Sequence, residues 1–128
     1  MEVKVIKNKN DMRLFIGTTW LISFVVMWIL FNAFLPKNEF NMQLNKIEKS
    51  VSIKDWNQAK KSMDELKSIY NKNKILIQTN NSTEIFTTFE FALGQLDASI
   101  QHEQDAALEY IGGLKSSLDL VMKAFSGP

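Results

Sequence analysis

The side chains best suited to chemistry in this 128-residue chain are few, and their spacing does not bring them together. His102 is the single histidine, and Glu103, Asp105 and Glu109 stand near it. A histidine beside a carboxylate could serve as a general base or begin a metal site. A metal site needs several such groups converging, however, and no second histidine exists to make an HExxH-like pair. His102 lies in the polar stretch Gln101-His102-Glu103-Gln104, where an imidazole is solvated, and acidic residues after it are the ordinary opening of a helix. Asp64-Glu65 and Glu84 with Glu90 are carboxylates without a second catalytic element. The chain has no Cys, which removes disulfides, thiolate ligands, cysteine nucleophiles and a lipid-attachment cysteine. No phosphate-binding loop, dinucleotide fingerprint or nucleophile elbow occurs. The sequence predicts no enzyme, no cofactor and no metal.

Composition narrows the partners. The net charge of +1 supplies no field that would draw nucleic acid. Trp56, Tyr70, Phe86 and Phe89 fall on helical stripes and read as core aromatics, not as base-stacking platforms. Asn80 and Asn81 each begin an Asn-x-Ser/Thr triplet, which matters only in a eukaryotic secretory pathway. The abundance of Lys, Asn and Ile points instead to an AT-rich bacterial genome.

The element that positions everything else is Leu14–Leu35. It is 22 residues without a charge, 17 of them apolar. A helix of that length crosses a hydrocarbon core roughly 30 Å thick. Its 13 Leu, Ile, Phe and Val residues each favour insertion by about 0.3–0.6 kcal/mol at the helix centre. Pro36 ends the run, because it has no amide proton and restricts Leu35. The competing reading, a cleaved signal peptide, requires a shorter apolar region and a small-x-small site after it, and neither is present. Lys4, Lys7, Lys9 and Arg13 precede the run and Lys37, Lys46 and Lys49 follow it. Four against three places the N-terminus in the cytoplasm and the rest of the chain outside. Within the run, Thr19 and Ser23 share a helix face and Asn32 lies near the outer end. They form a packing face for a partner membrane helix or are small polar groups that a span tolerates.

Residues 1–13 are thus a short basic tail, 14–35 a transmembrane anchor and 37–125 a helical domain. Phe40, Leu44, Ile47 and Val51 make one stripe. Ser52, three before Asp55, predicts a new helix starting near Ile53. Its stripe is Trp56, Ala59, Met63, Leu66, Tyr70, Asn73 and Ile77. Asn80-Asn81-Ser82-Thr83 predicts a turn, with Ser82 or Thr83 capping the next helix. That helix is expected to bury Ile85, Phe89, Ala92, Leu96 and Ile100, with Phe86 and Leu93 alongside. Asp105 opens a last helix, striped by Ala107, Ile111, Leu114, Leu118, Val121 and Phe125. Gly112-Gly113 inside it is a place of close helix approach, a kink or a break, at about 1 kcal/mol per glycine. Ser126-Gly127-Pro128 reads as a frayed end. The fold class is all-α: one transmembrane helix, then an antiparallel bundle of three or four helices.

Charge is segregated along the domain. Residues 37–74 hold nine Lys and five acids, a net of +4, and residues 75–128 hold two Lys and seven acids, a net of −5. The halves attract each other, or the basic helix binds an anionic partner.

The stretch Asp55-Trp56-Asn57-Gln58-Ala59-Lys60-Lys61, with Met63, Leu66 and Tyr70 in phase, and the helix Asp105-Ala106-Ala107-Leu108-Glu109-Tyr110-Ile111 running to Leu118 and Val121, follow an N-terminal anchor. Together they resemble a family of short single-pass Firmicute membrane proteins known only as a domain of unknown function. Members often carry a second aromatic, commonly Trp, where Tyr70 stands. The resemblance implies no catalytic residue. It implies a role beside the small multi-pass membrane proteins near which members are encoded.

Function is expected to be that of a membrane-anchored, non-enzymatic interaction module. It would be accessory to another membrane protein or self-associating, with the bilayer as its second partner and no nucleic acid. The alternative is an extracytoplasmic sensory or small-ligand-binding domain acting through a partner, since antiparallel bundles hold ligands between helices. A helical-repeat scaffold is a third, without a visible second copy.

Overall fold

An uncharged run that is apolar on every side has no polar face to turn to water, and it folds here as one long helix, α1 (Lys9–Phe34). At about 1.5 Å per residue it extends roughly 39 Å. Almost none of its apolar surface is covered by the rest of the protein, and it is long and apolar enough to cross a membrane. The computed structural model describes residues 9–123. Lys4, Lys7, Phe125 and the Ser126-Gly127-Pro128 end lie outside them. The helix begins at Lys9, so the last residues of the basic tail are already helical.

Pro36 turns the chain sharply. Leu35 still donates to the Phe31 carbonyl at 2.9 Å, and Lys37 then donates to the Leu35 carbonyl at 2.9 Å. With φ −85° and ψ 50° at Pro36, this is an inverse γ-turn. Only Leu35 and Pro36 stand between α1 and α2 (Lys37–Ser52). The elbow also carries part of the core. Phe31 and Leu35, each 7% exposed, are buried with the domain's apolar side chains, so one side of the last turn of the apolar run is covered by protein, while Phe34 stays exposed.

The domain is four antiparallel helices: α2, α3 (Trp56–Asn80), α4 (Thr83–Gln101) and α5 (Ala107–Val121). Each packs on its two neighbours in a ring, α2 on α3 and α5, α4 on α3 and α5. The α2 stripe, and the α5 stripe as far as Val121, are buried as their spacing predicts. On α3, Ala59, Met63, Leu66, Tyr70 and Ile77 are buried, whereas Trp56 and Asn73 are half-buried. On α4 the centre of the buried face shifts. Phe86, Phe89, Leu93, Leu96 and Ile100 are buried, and Ile85 and Ala92 sit at the edge. Both phases obey the 3–4 spacing, and contact with two neighbouring helices selects the one that α3 and α5 can both cover.

The helix ends differ from the capping pattern in one respect. Ser52 does not start a helix; it is the last residue of α2, and its hydroxyl donates to the Glu48 carbonyl. The cap of α3 is Asp55, which accepts from the Gln58 amide at 3.1 Å. Lys54, at φ 58°, ends α2, and the Asp55 amide reaches back to the Ser50 carbonyl at 2.8 Å. Glu103, at φ 54°, ends α4 in the same way, with Gln104 donating to Ser99. Both are six-to-one closures with a non-glycine residue in the left-handed position. Ser82 caps α4, accepting from Ile85. Asp105 lies in the turn before α5 and makes no side-chain cap there.

The charge segregation is used inside the chain. Lys60, Lys67 and Lys74, seven apart on α3, pair with Glu103, Asp97 and Glu90 at 3.0, 3.2 and 3.2 Å. The α2–α5 contact is crossed by Lys37–Asp119 at 2.7 Å and by Lys115–Glu48. These exposed pairs are worth about 0–1 kcal/mol each, but their order fixes the antiparallel register. Asp97, through its hydrogen bond and charge, and Asp64, through its charge, hold the Lys67 pKa above its usual value against the opposing effect of burial.

Candidate functional site

The residues with chemical potential are dispersed. His102 is exposed at the end of α4, and its amide closes the helix on Ala98. Glu103 is occupied by Lys60, Asp64 lies 3.5 Å from Lys67, and Glu65 accepts from the Gln43 amide at 2.9 Å. Among the described residues no three His, Cys, Asp or Glu side chains gather as metal ligands. The four aromatics lie within or beside the core. Tyr70 stacks on Phe86 with centroids 6.5 Å apart and tilts against Phe89 at 6.2 Å, while Trp56 packs at the core's edge. Burial pushes the Tyr70 phenol up to about 12, with the Glu90 charge adding to it, and its hydroxyl is buried without a hydrogen-bond partner among the described residues.

On the anchor, Thr19, Ser23 and Asn32 are all exposed. The Ser23 hydroxyl donates to the Thr19 carbonyl at 2.9 Å, so it is satisfied within the helix. Thr19 and Ser23 share one exposed face of α1, whereas Asn32, nine residues after Ser23 on the same continuous helix, lies on the opposite face beside the elbow.

Sequence reasoning missed the role of Asn80 and Asn81. Each is buried, and together they clamp the end of α5. The Asn80 side-chain amide donates to the carbonyls of Val121 and Lys123 at 3.2 and 2.7 Å, and that of Asn81 to Val121 and Ile77 at 2.9 and 2.8 Å. The last carbonyls of a helix lack intrahelical donors, and here the α3–α4 turn supplies them. Both amide nitrogens are committed, so neither triplet presents an acceptor for glycosylation. A pair of Asn residues in a turn was the available signal, but its partner lies some 40 residues away.

The bundle surface that best suits a partner is the groove between α4 and α5. It is a shallow apolar cleft of about 310 Å³, walled by Ile85, Ala92, Gly113, Leu120 and the flanks of Thr88 and Ser117. Leu120 is 48% exposed beside it. α5 is one unbroken helix through Gly112-Gly113. A Cβ added at either glycine would meet nothing within 4 Å. Among the described residues neither a break nor a close approach therefore accounts for them. Two residues that weaken a helix border an open apolar groove, with no return from within the molecule.

A family model described as a domain of unknown function (DUF4363) matches residues 35–124, and the chain belongs to that family. The match starts at the elbow and covers the four-helix bundle. No curated protein and no solved structure shows significant similarity to the chain.

Proposed function

We propose that this DUF4363 chain is a single-pass, membrane-anchored and non-enzymatic accessory subunit whose bundle receives a helix of another membrane protein in the α4–α5 groove. The observation that carries the reading is the pair Gly112-Gly113. Both are exposed on a continuous helix, and Gly113 lines the apolar groove. A partner helix resting there approaches the α5 backbone without a Cβ in its way. The groove supplies apolar contact, with Glu84 as the one charged residue that lines it. The Thr19 and Ser23 face of α1 offers a second contact within the bilayer.

The same reading places the N-terminus in the cytoplasm and the bundle outside, on the balance of basic residues around α1. Chemical crosslinking of native membranes, followed by mass spectrometry, tests the accessory role. A stoichiometric membrane-protein adduct supports it. An adduct with a second copy alone assigns the groove to self-association, and a monomer without adducts favours the sensory alternative.

A further inference from the structure

Three clefts border the elbow between α1 and α2, and two of them adjoin through Phe34. Because only Leu35 and Pro36 join the helices, both clefts sit at a set depth relative to the apolar helix. The first, about 460 Å³, lies between Glu39 on α2 and Ser68, Lys72 and Asn73 on α3. The second, about 300 Å³, is lined by Met27, Leu30, Phe31, Phe34 and Leu76, all apolar. Phe34 lines both, so a polar cleft runs onto an apolar one at the end of the membrane helix.

Lys37, Lys60, Lys67, Lys74 and Lys115 are all paired with carboxylates. Lys46, Lys49, Lys54, Lys61, Lys72 and Lys123 form no ion pair among the described residues, and of these Lys72 lines a cleft together with an acid, Glu39. Glu39 forms no ion pair among the described residues either. The first turn of α2 has no side-chain cap. The Lys37 and Phe40 amides are bonded to the Leu35 and Pro36 carbonyls, and Glu39 already stands in this turn, so an anion there meets the dipole beside Glu39 and is drawn chiefly by Lys72. Ile75, beside Leu76 on α3, is 81% exposed, the most of any large apolar side chain described, and it stands at the depth of the apolar cleft.

We propose that the elbow binds one zwitterionic phospholipid with an ethanolamine headgroup. Its phosphate lies against Lys72 and the first turn of α2, its ammonium against Glu39, and an acyl chain along the cleft below Phe34. The proposal rests on the reading of α1 as a membrane span.

Native mass spectrometry of the delipidated full chain, released from detergent micelles after lipid is added back, tests it. One phosphatidylethanolamine is retained per chain, about tenfold more than phosphatidylglycerol or phosphatidylcholine. Lys72→Gln and Glu39→Gln each lower that retention about tenfold, the scale of one charged hydrogen bond. Lys61→Gln, on the exposed far half of α3, leaves it unchanged. Equal retention of the three lipids, or wild-type retention in both elbow variants, overturns the site. Displacement by equimolar soluble phosphoethanolamine overturns its assignment to a lipid, because the apolar cleft would then contribute nothing. Alkaline extraction of membranes separates this from the span itself. A chain that stays in the membrane without selecting a lipid loses the site alone, and a chain that is extracted loses both.

Discussion

Replacing Asn81 with Ala removes a donor shared between two distant parts of the chain. Its amide serves the Ile77 and Val121 carbonyls at 2.8 and 2.9 Å, and the residue is 9% exposed. A buried carbonyl left without a donor costs about 1–3 kcal/mol. In Asn81→Ala the Val121 carbonyl keeps the Asn80 amide, so the loss falls on Ile77 and amounts to about 1–2 kcal/mol. Asn80→Ala releases Lys123 and leaves Asn81 on Val121, with a similar cost. In the double variant the Val121 carbonyl loses both donors. Its cost therefore exceeds the sum of the singles by about 1 kcal/mol, within the range for residues that share a partner. Urea unfolding of the full chain in detergent micelles, followed by far-ultraviolet circular dichroism, measures all three, with exposed Asn57→Ala as the control. Single variants within a few tenths of a kcal/mol of wild type, or a strictly additive double variant, would refute the clamp.

Three further substitutions probe other parts of the account. Gly113→Ala raises stability by about 0.5–1 kcal/mol, since the added methyl meets open space; in the same unfolding assay it is the more stable protein, yet partner crosslinking falls. Tyr70→Phe is neutral or stabilising by up to about 1 kcal/mol, because the hydroxyl it removes is buried without a partner. The phenol also titrates higher in the fold than in the unfolded chain, so stability present below pH 10 declines as pH rises toward about 12; unfolding at pH 9 and pH 11 shows a smaller difference in Tyr70→Phe than in wild type. Lys54→Gly relieves a left-handed position at φ 58° and adds about 1 kcal/mol by the same measurement.

The helices were legible because their information is local. The stripes of α2, α3 and α5 follow a strict 3–4 spacing, Pro36 ends α1, and Ser82 caps α4 in the predicted place. The Ser52 assignment failed because a left-handed Lys54 ended α2 through backbone hydrogen bonds, and nothing in the Lys side chain announces that conformation. On α4 Phe89, Leu96 and Ile100 are buried as expected, but Phe86 and Leu93 take the places of Ile85 and Ala92, because only the neighbouring helices choose between the two apolar columns. The contact features depend on distant residues. The Asn80–Asn81 clamp needs α5, the elbow clefts need the end of α3 beside α1, and the groove needs α4 beside α5. The charge ladder lies between. Heptad-spaced Lys60, Lys67 and Lys74 were visible in the sequence, and the antiparallel register gave them their acids.

The central claim is that the α4–α5 groove receives a helix of a membrane protein. A photocrosslinking residue at position 120, activated in native membranes, tests it most directly, with the same group at exposed position 61 as the reference. One discrete adduct with a membrane protein is expected from position 120 and none from position 61, and that adduct is lost when Gly113 is replaced by Leu. Equal labelling from the two positions, or no protein adduct from position 120, would contradict that claim.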